Sequence, residues 1–157
     1  MKVLLYPSKL LRQTTLPVKD HKKEEKTIHK MKDLMVKYKG IGLAAPQIGL
    51  LKKYFIMDFN DKIIECINPK ILHSSSELFV YEEGCLSIPG VRSDISRPKV
   101  IDVEYEDLSG KTIKNTFTDL DSTCFQHELD HLNGVLFFDY LKIPKKIQLL
   151  TDYSFFS

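Results

Sequence analysis

The chain has 157 residues, of which 43% are hydrophobic and 28% are charged, and its formal net charge is +2 at pH 7. This composition is ordinary for a soluble globular protein, so we expect one domain spanning residues 1–157, no DNA partner and no membrane span. Three cysteines without regular spacing argue against a disulfide framework, and the apolar start is too short for a secretory signal, so a cytoplasmic location is expected.

The first half of the chain predicts one helix followed by antiparallel strands. Apolar residues recur at helical spacing ahead of Gly40, which provides a stop signal. The stretch from Gly40 to Gly49 is rich in small residues, which allow the backbone to approach a ligand closely. The predicted elements are an edge strand at Val3–Tyr6, a helix at Glu24–Lys39, strands at Lys53–Phe59 and Lys62–Ile67, and a turn at Asn60-Asp61.

The second half predicts more strands and then a helix with a candidate N-cap at Thr118 and a stop at Gly134. The predicted elements are strands at Leu78–Tyr81, Val100–Glu106 and Lys111–Phe117, a turn at Asp107–Gly110, a helix at Asp119–His131 and an apolar run at Val135–Phe138. This order predicts an α+β fold, with antiparallel β-sheets packed around a central metal-binding helix and an additional N-terminal helix.

The second predicted helix contains the most informative motif of the chain. His127, Glu128 and His131 fit the pattern His-Glu-x-x-His. Residues four apart lie on one face of a helix, so the two imidazoles can bind one cation. The intervening Glu128 can reach a water on that cation without binding the metal itself. The motif therefore predicts a hydrolytic metal site.

A hydrolytic site with two histidines needs at least one more protein ligand. Residues 132–157 contain no histidine and no glutamate, which weakens the reading as a zincin-like metallopeptidase without excluding it. Upstream, Cys85 lies in a stretch flanked by glycine and closed by proline, which predicts a loop that exposes a thiolate. One thiolate and two imidazoles leave a fourth position for water.

The chain contains three short signatures in a fixed order. They are Gly40-Ile41-Gly42-Leu43-Ala44-Ala45-Pro46-Gln47, Glu83-Gly84-Cys85-Leu86-Ser87 and Gln126-His127-Glu128-Leu129-Asp130-His131. With these signatures the chain resembles the peptide deformylase family, and the resemblance covers almost the whole chain and implies the α+β fold described above. It also implies removal of the N-formyl group from the formyl-methionine of new polypeptides, with release of formate.

The resemblance implies a role for each residue of the site. Cys85, His127 and His131 would bind the metal, and Glu128 would transfer a proton from water to the leaving amine. The Gln47 side-chain amide and the Leu86 backbone N–H would stabilise the oxyanion. Substrate contacts are implied for Ile41, Gly42, Arg92 and Cys124, together with a structural ion pair between Glu83 and Arg97.

Metal and partners follow from the same resemblance. One divalent metal is expected per chain, Fe(2+) natively, with Zn(2+), Ni(2+) or Co(2+) as substitutes. The expected partners are N-formyl-methionyl nascent peptides and, weakly because the tail after Leu141 is short, the ribosome. The chain departs from the family pattern at Thr123, where an apolar pocket residue is common. This departure predicts a change in substrate affinity.

Overall fold

The computed structural model describes residues 1–156, with side chains described through residue 154. Its helices are α1 (Glu25–Lys37), α2 (Asp119–Leu132) and α3 (Ile143–Phe156), and its strands are β1 (Gly42–Ala44), β2 (Tyr54–Phe59), β3 (Lys62–Ser74), β4 (Leu78–Cys85), β5 (Ile88–Pro98), β6 (Val100–Glu106) and β7 (Thr112–Thr118). None of the helices in residues 1–156 is both long and apolar enough to cross a bilayer.

The strands form two antiparallel sheets. Five strands pair in the order β1-β2-β3-β6-β7, and β4 pairs with β5 in a separate two-stranded sheet. Helix α2 packs against the five-stranded sheet through the aromatic ring of Phe125, which lies 5.1 Å from the ring of Phe55 and 5.5 Å from that of Phe117. The predicted α+β class, with antiparallel sheets around the helix of the His-Glu-x-x-His motif, is confirmed.

Several boundaries differ from the sequence prediction. Residues 3–6 form no strand, because their backbone makes isolated contacts: Leu4 N–H donates to Gln47 O (2.7 Å) and Tyr6 N–H to Ser87 O (2.8 Å). The stretch around Cys85 is the tip of the β4–β5 hairpin and not an open loop. Strand β3 extends to Ser74, and Val135–Phe138 leads into a 3-10 helix at Phe137–Tyr140.

The sequence prediction does not include strand β5 and helix α3, which pack against each other. Buried Leu149 and Tyr153 of α3 belong to one apolar cluster with Ile88 and Ile95 of β5. The Tyr153 hydroxyl donates to the carbonyl of Tyr6 (2.6 Å), which ties the last helix to the first residues of the chain. The hairpin is thereby held between α2 on one side and α3 on the other.

Candidate metal centre

Helix α2 buries an unusual number of polar side chains. Its buried residues include Thr123, Gln126, His127, Glu128 and His131. Burial of a polar group is unfavourable unless the group finds a partner. The partners of these side chains therefore indicate what this part of the molecule is built to do.

Three candidate ligands converge beside α2. Cys85 lies at the end of β4, and His127 and His131 lie one turn apart on the helix. Their ligand atoms all lie within 4.8 Å of one another, and the Cys85 Sγ atom is 3.3 Å from His131 Nε2. Within the described residues this is the one cluster of three such side chains. A sulfur and two imidazole nitrogens suit one divalent transition metal and leave a coordination position for water.

A chain of ion pairs fixes the orientation of His127. Its Nδ1 lies 2.9 Å from a carboxylate oxygen of Glu83, so Nε2 is the nitrogen left for a cation. Glu83 in turn accepts two hydrogen bonds from Arg97, at 2.7 and 3.0 Å, and Arg97 donates to Asp130 at 2.9 Å. The Tyr140 hydroxyl donates to the same Asp130 at 2.7 Å. Partners of this kind set the tautomer and basicity of a metal-binding histidine.

The two histidines differ in their electrostatics. Burial opposes the charged form of His127, but hydrogen bonds with Cys85 and Glu83 raise its pKa above the ordinary value. Burial and the nearby His127 charge lower the pKa of His131, whose Nδ1 has no partner among the described residues. A bound cation would compete with protons for these side chains, because a histidine binds metal only through an unprotonated ring nitrogen.

The carboxylate of Glu128 lies beside this cluster and is buried. Burial raises the pKa of Glu128 to about 7, and its Oε2 has no hydrogen-bond partner among the described residues. A Cβ atom added to Gly42 would lie 2.5 Å from the Oε1 atom of Glu128. The glycine therefore leaves the space that this carboxylate occupies, and the carboxylate can take up and release a proton near neutral pH.

Gln47 is held rigidly at the edge of the same cluster. Its Oε1 accepts from the backbone N–H of Ala44 (2.9 Å), which leaves its amide nitrogen pointing towards the site. The Nε2 atom donates to the Ser87 hydroxyl at 3.1 Å and lies 3.5 Å from Cys85 Sγ. Ser87 is a functional neighbour that the sequence prediction missed, although it lies within the second signature. The sequence prediction also missed Asp130 and Tyr140, because their contacts with Arg97 and with each other form only in the folded chain.

A cavity of about 960 Å³ opens in front of these residues. Its walls include all the predicted catalytic and substrate-binding residues and two of the three predicted metal ligands, but not His131. The predicted residues that line it are Ile41, Gly42, Gln47, Cys85, Leu86, Arg92, Cys124, His127 and Glu128. The structure therefore brings the predicted catalytic, metal-binding and substrate-binding residues to one place.

The cavity wall includes the apolar side chain of Ile41 and the cation of Arg92. Ile41 is 43% exposed, and its carbonyl accepts from the Cys124 thiol at 3.4 Å. Burial raises the pKa of that thiol, which disfavours the reactive thiolate form. Arg92 lies exposed at the rim, donates to the carbonyl of Glu82 (2.7 Å) and pairs with its carboxylate at 3.4 Å.

Comparisons with known proteins agree on one family. Residues 1–146 match the family model for polypeptide deformylase. The peptide deformylase of Borreliella burgdorferi is 41% identical over 156 residues, covering 98% of this chain and 94% of the relative. A crystal structure of a Legionella pneumophila peptide deformylase has a TM-score of 0.93 at 34% identity, covering 99% of this chain and 94% of the other. A Synechococcus elongatus peptide deformylase in complex with actinonin has the same TM-score at 36% identity, covering 98% of this chain and 86% of the other.

Proposed function

The chain belongs to the polypeptide deformylase family and is a hydrolase that removes the N-formyl group from nascent polypeptides, and we propose that the cluster beside α2 is its catalytic centre. The single observation that carries this assignment is the convergence of Cys85, His127 and His131 on one point next to the Glu128 carboxylate. The zincin-like endopeptidase alternative is not favoured.

The three ligands hold one divalent cation, natively Fe(2+), for which Zn(2+), Ni(2+) or Co(2+) can substitute. A mixed sulfur and imidazole donor set supports this range of metals. When bound, the cation lowers the pKa of a coordinated water towards neutrality and polarises the formyl oxygen. Glu83 and Arg97 keep the His127 imidazole in the tautomer that offers Nε2.

Glu128 is the acid–base catalyst. Its burial holds a carboxylate with a pKa of about 7 beside the ligand cluster, which suits a group that takes a proton from water and then gives one to the leaving amine. The Glu128 side chain packs directly against Gly42 of strand β1, so the carboxylate cannot move towards that strand.

Two hydrogen-bond donors stabilise the negative charge that develops on the formyl oxygen. They are the side-chain amide of Gln47, oriented by Ala44 and Ser87, and the backbone N–H of Leu86 next to the thiolate. Preorganised donors of this kind need no rearrangement during the reaction, and removal of one costs about 10²- to 10³-fold in turnover.

The cavity binds the formyl-methionyl end of the peptide. Ile41 and Cys124 form the apolar wall for the methionine side chain, and the Gly42 backbone pairs with the peptide backbone in the manner of an added strand. Arg92 lies at the rim, where the rest of the peptide leaves the site. The partners are N-formyl-methionyl nascent peptides in the cytoplasm, with at most weak attachment to the ribosome.

Anaerobic purification, metal analysis and a formyl-Met-Ala-Ser assay test ligands, metal and reaction together. We expect about one equivalent of metal per chain, formate release and no cleavage of casein. Glu128→Ala should retain the metal and the fold but lose deformylation by about 10²- to 10⁴-fold, the usual contribution of a proton-transfer group. Wild-type turnover in Glu128→Ala would refute the assignment of the base.

A further inference from the structure

One polar side chain of the cavity has no part in the chemistry described so far. Thr123 lines the cavity and is only 3% exposed, and its hydroxyl oxygen has no hydrogen-bond partner among the described residues. A buried hydroxyl without a partner is unfavourable compared with an apolar side chain of the same shape. The wall therefore contains a donor that nothing in the protein uses.

The position of Thr123 places this donor beside the methionine pocket. Thr123 precedes His127 by one helical turn and therefore lies on the same face of α2 as the ligand-bearing residue. Leu120 and Cys124, its neighbours on the cavity wall, are apolar or already bonded, since the Cys124 thiol donates to the Ile41 carbonyl. Among Leu120, Thr123 and Cys124, Thr123 is therefore the residue whose side chain has a hydrogen-bond donor without a partner in the described part of the chain.

The hydroxyl can be turned towards the cavity without loss of a bond. A helical threonine adopts two χ1 rotamers, and rotation from one to the other can bring the hydroxyl into the position that the methyl group occupied. Because no hydrogen bond holds the hydroxyl where it is, a polar atom entering the pocket can draw it inwards. A residue with an ordinary core role would instead have its hydroxyl bonded to the preceding turn.

The nature of that polar atom follows from the substrate. Nascent polypeptides start with formyl-methionine, whose thioether is a weak acceptor and makes little use of a hydroxyl. Oxidation converts the thioether into a sulfoxide, which is polar and of nearly the same length. Resting on the function proposed above, we propose that Thr123 allows this enzyme to deformylate peptides that start with formyl-methionine sulfoxide.

The test compares two substrates in three forms of the holoenzyme. The substrates are formyl-Met-Ala-Ser and its sulfoxide, with each sulfoxide epimer assayed separately, and the measured quantity is the ratio of their kcat/KM values. The variants are Thr123→Val, which keeps the shape but removes the hydroxyl, and Thr123→Ser, which keeps the hydroxyl. Melting curves establish that both variants fold.

We expect Thr123→Val to lower the sulfoxide-to-methionine ratio about tenfold for at least one epimer, and Thr123→Ser to hold it within about threefold of wild type. The formyl-methionine value itself should rise in Thr123→Val, because the pocket becomes apolar. An unchanged ratio in Thr123→Val, or a wild-type enzyme inactive on both epimers, would overturn the proposal. Inactivity on formyl-methionine as well would mark failure of the proposed function instead.

Discussion

The contact between Gly42 and Glu128 gives the sharpest prediction about the catalytic base. In Gly42→Ala the new Cβ would lie 2.5 Å from Oε1 and 2.9 Å from Cδ of Glu128, whereas ordinary contacts start near 3.4 Å. The carboxylate must therefore move by close to 1 Å, away from Gly42 and out of its position beside the ligand cluster. A displacement of that size at a reacting group costs about 10²-fold.

We expect Gly42→Ala to lower kcat on formyl-Met-Ala-Ser about 100-fold while the metal content stays near wild type, because the added Cβ meets Glu128 and none of the ligands. The assay is steady-state formate release with metal analysis on the same preparation. Gly40→Ala is the matched control, since its Cβ would meet the flexible end of Leu86 at 2.8 Å, which can move aside. Its loss should stay below about fivefold.

The effect of Gly42→Ala should also depend on Glu128. In a Glu128→Ala background the colliding carboxylate is gone, so adding Gly42→Ala should reduce the remaining single-turnover rate by much less than 100-fold. A Gly42→Ala enzyme with wild-type kcat, or one whose loss is equally large without Glu128, would refute the idea that this glycine sets the position of the base.

Three further changes test other parts of the structure. Glu83→Gln should weaken metal binding about 10- to 100-fold in a chelator competition, because the partner of His127 loses the negative charge that raises the basicity of the imidazole; undiminished affinity would contradict this. Phe125→Ala should lower the free energy of unfolding by about 3–5 kcal/mol in urea, since the fully buried ring packs against two others; a loss below about 1 kcal/mol would contradict it. Burial opposes ionisation of Asp139, but the hydrogen bond from Arg12 lowers the pKa of its carboxyl group. The free energy of unfolding of Asp139→Asn should therefore be lower than that of wild type by up to about 1 kcal/mol at pH 7, and this difference should vanish as the pH falls through that pKa. A difference that persists at about pH 2 would argue against the ion pair.

The site could be predicted from the sequence more completely than the fold around it. His127, Glu128 and His131 are fixed by a helical spacing of four, which is a local property of the chain. The glycine- and proline-flanked stretch around Cys85 indicated a candidate ligand, but the assignment of Cys85 and Gln47 to the site beside α2 required the resemblance to a family. Tyr140 and Ser87 join the site only through tertiary contacts, and sequence spacing carries no signal for those.

The differences between the predicted and the observed elements have physical reasons. Strand β5 contains Pro89, Gly90 and Pro98, which favour loops, and it forms a strand because β4 pairs with it along its length. Helix α3 has Pro144 in its first turn, a residue suited to that position, and among the residues with described side chains it buries Leu149 and Tyr153 in the cluster shared with β5. In the opposite direction, Val3–Tyr6 has the composition of a strand, but its backbone makes single hydrogen bonds to Gln47 and Ser87, which both lie outside the strands.

The proposed sulfur ligand lies on the β4–β5 hairpin, whereas both proposed nitrogen ligands lie on helix α2. Retention of the metal therefore depends on the tertiary structure that holds the hairpin against the helix. A cation bound across them acts as a cross-link between the β4–β5 hairpin and α2, in addition to the charged contacts of Arg97. Anything that binds only the native form stabilises it by mass action. Stripping the ion should therefore loosen the attachment of the hairpin first, and slow release of metal should report on how often that hairpin separates from the helix.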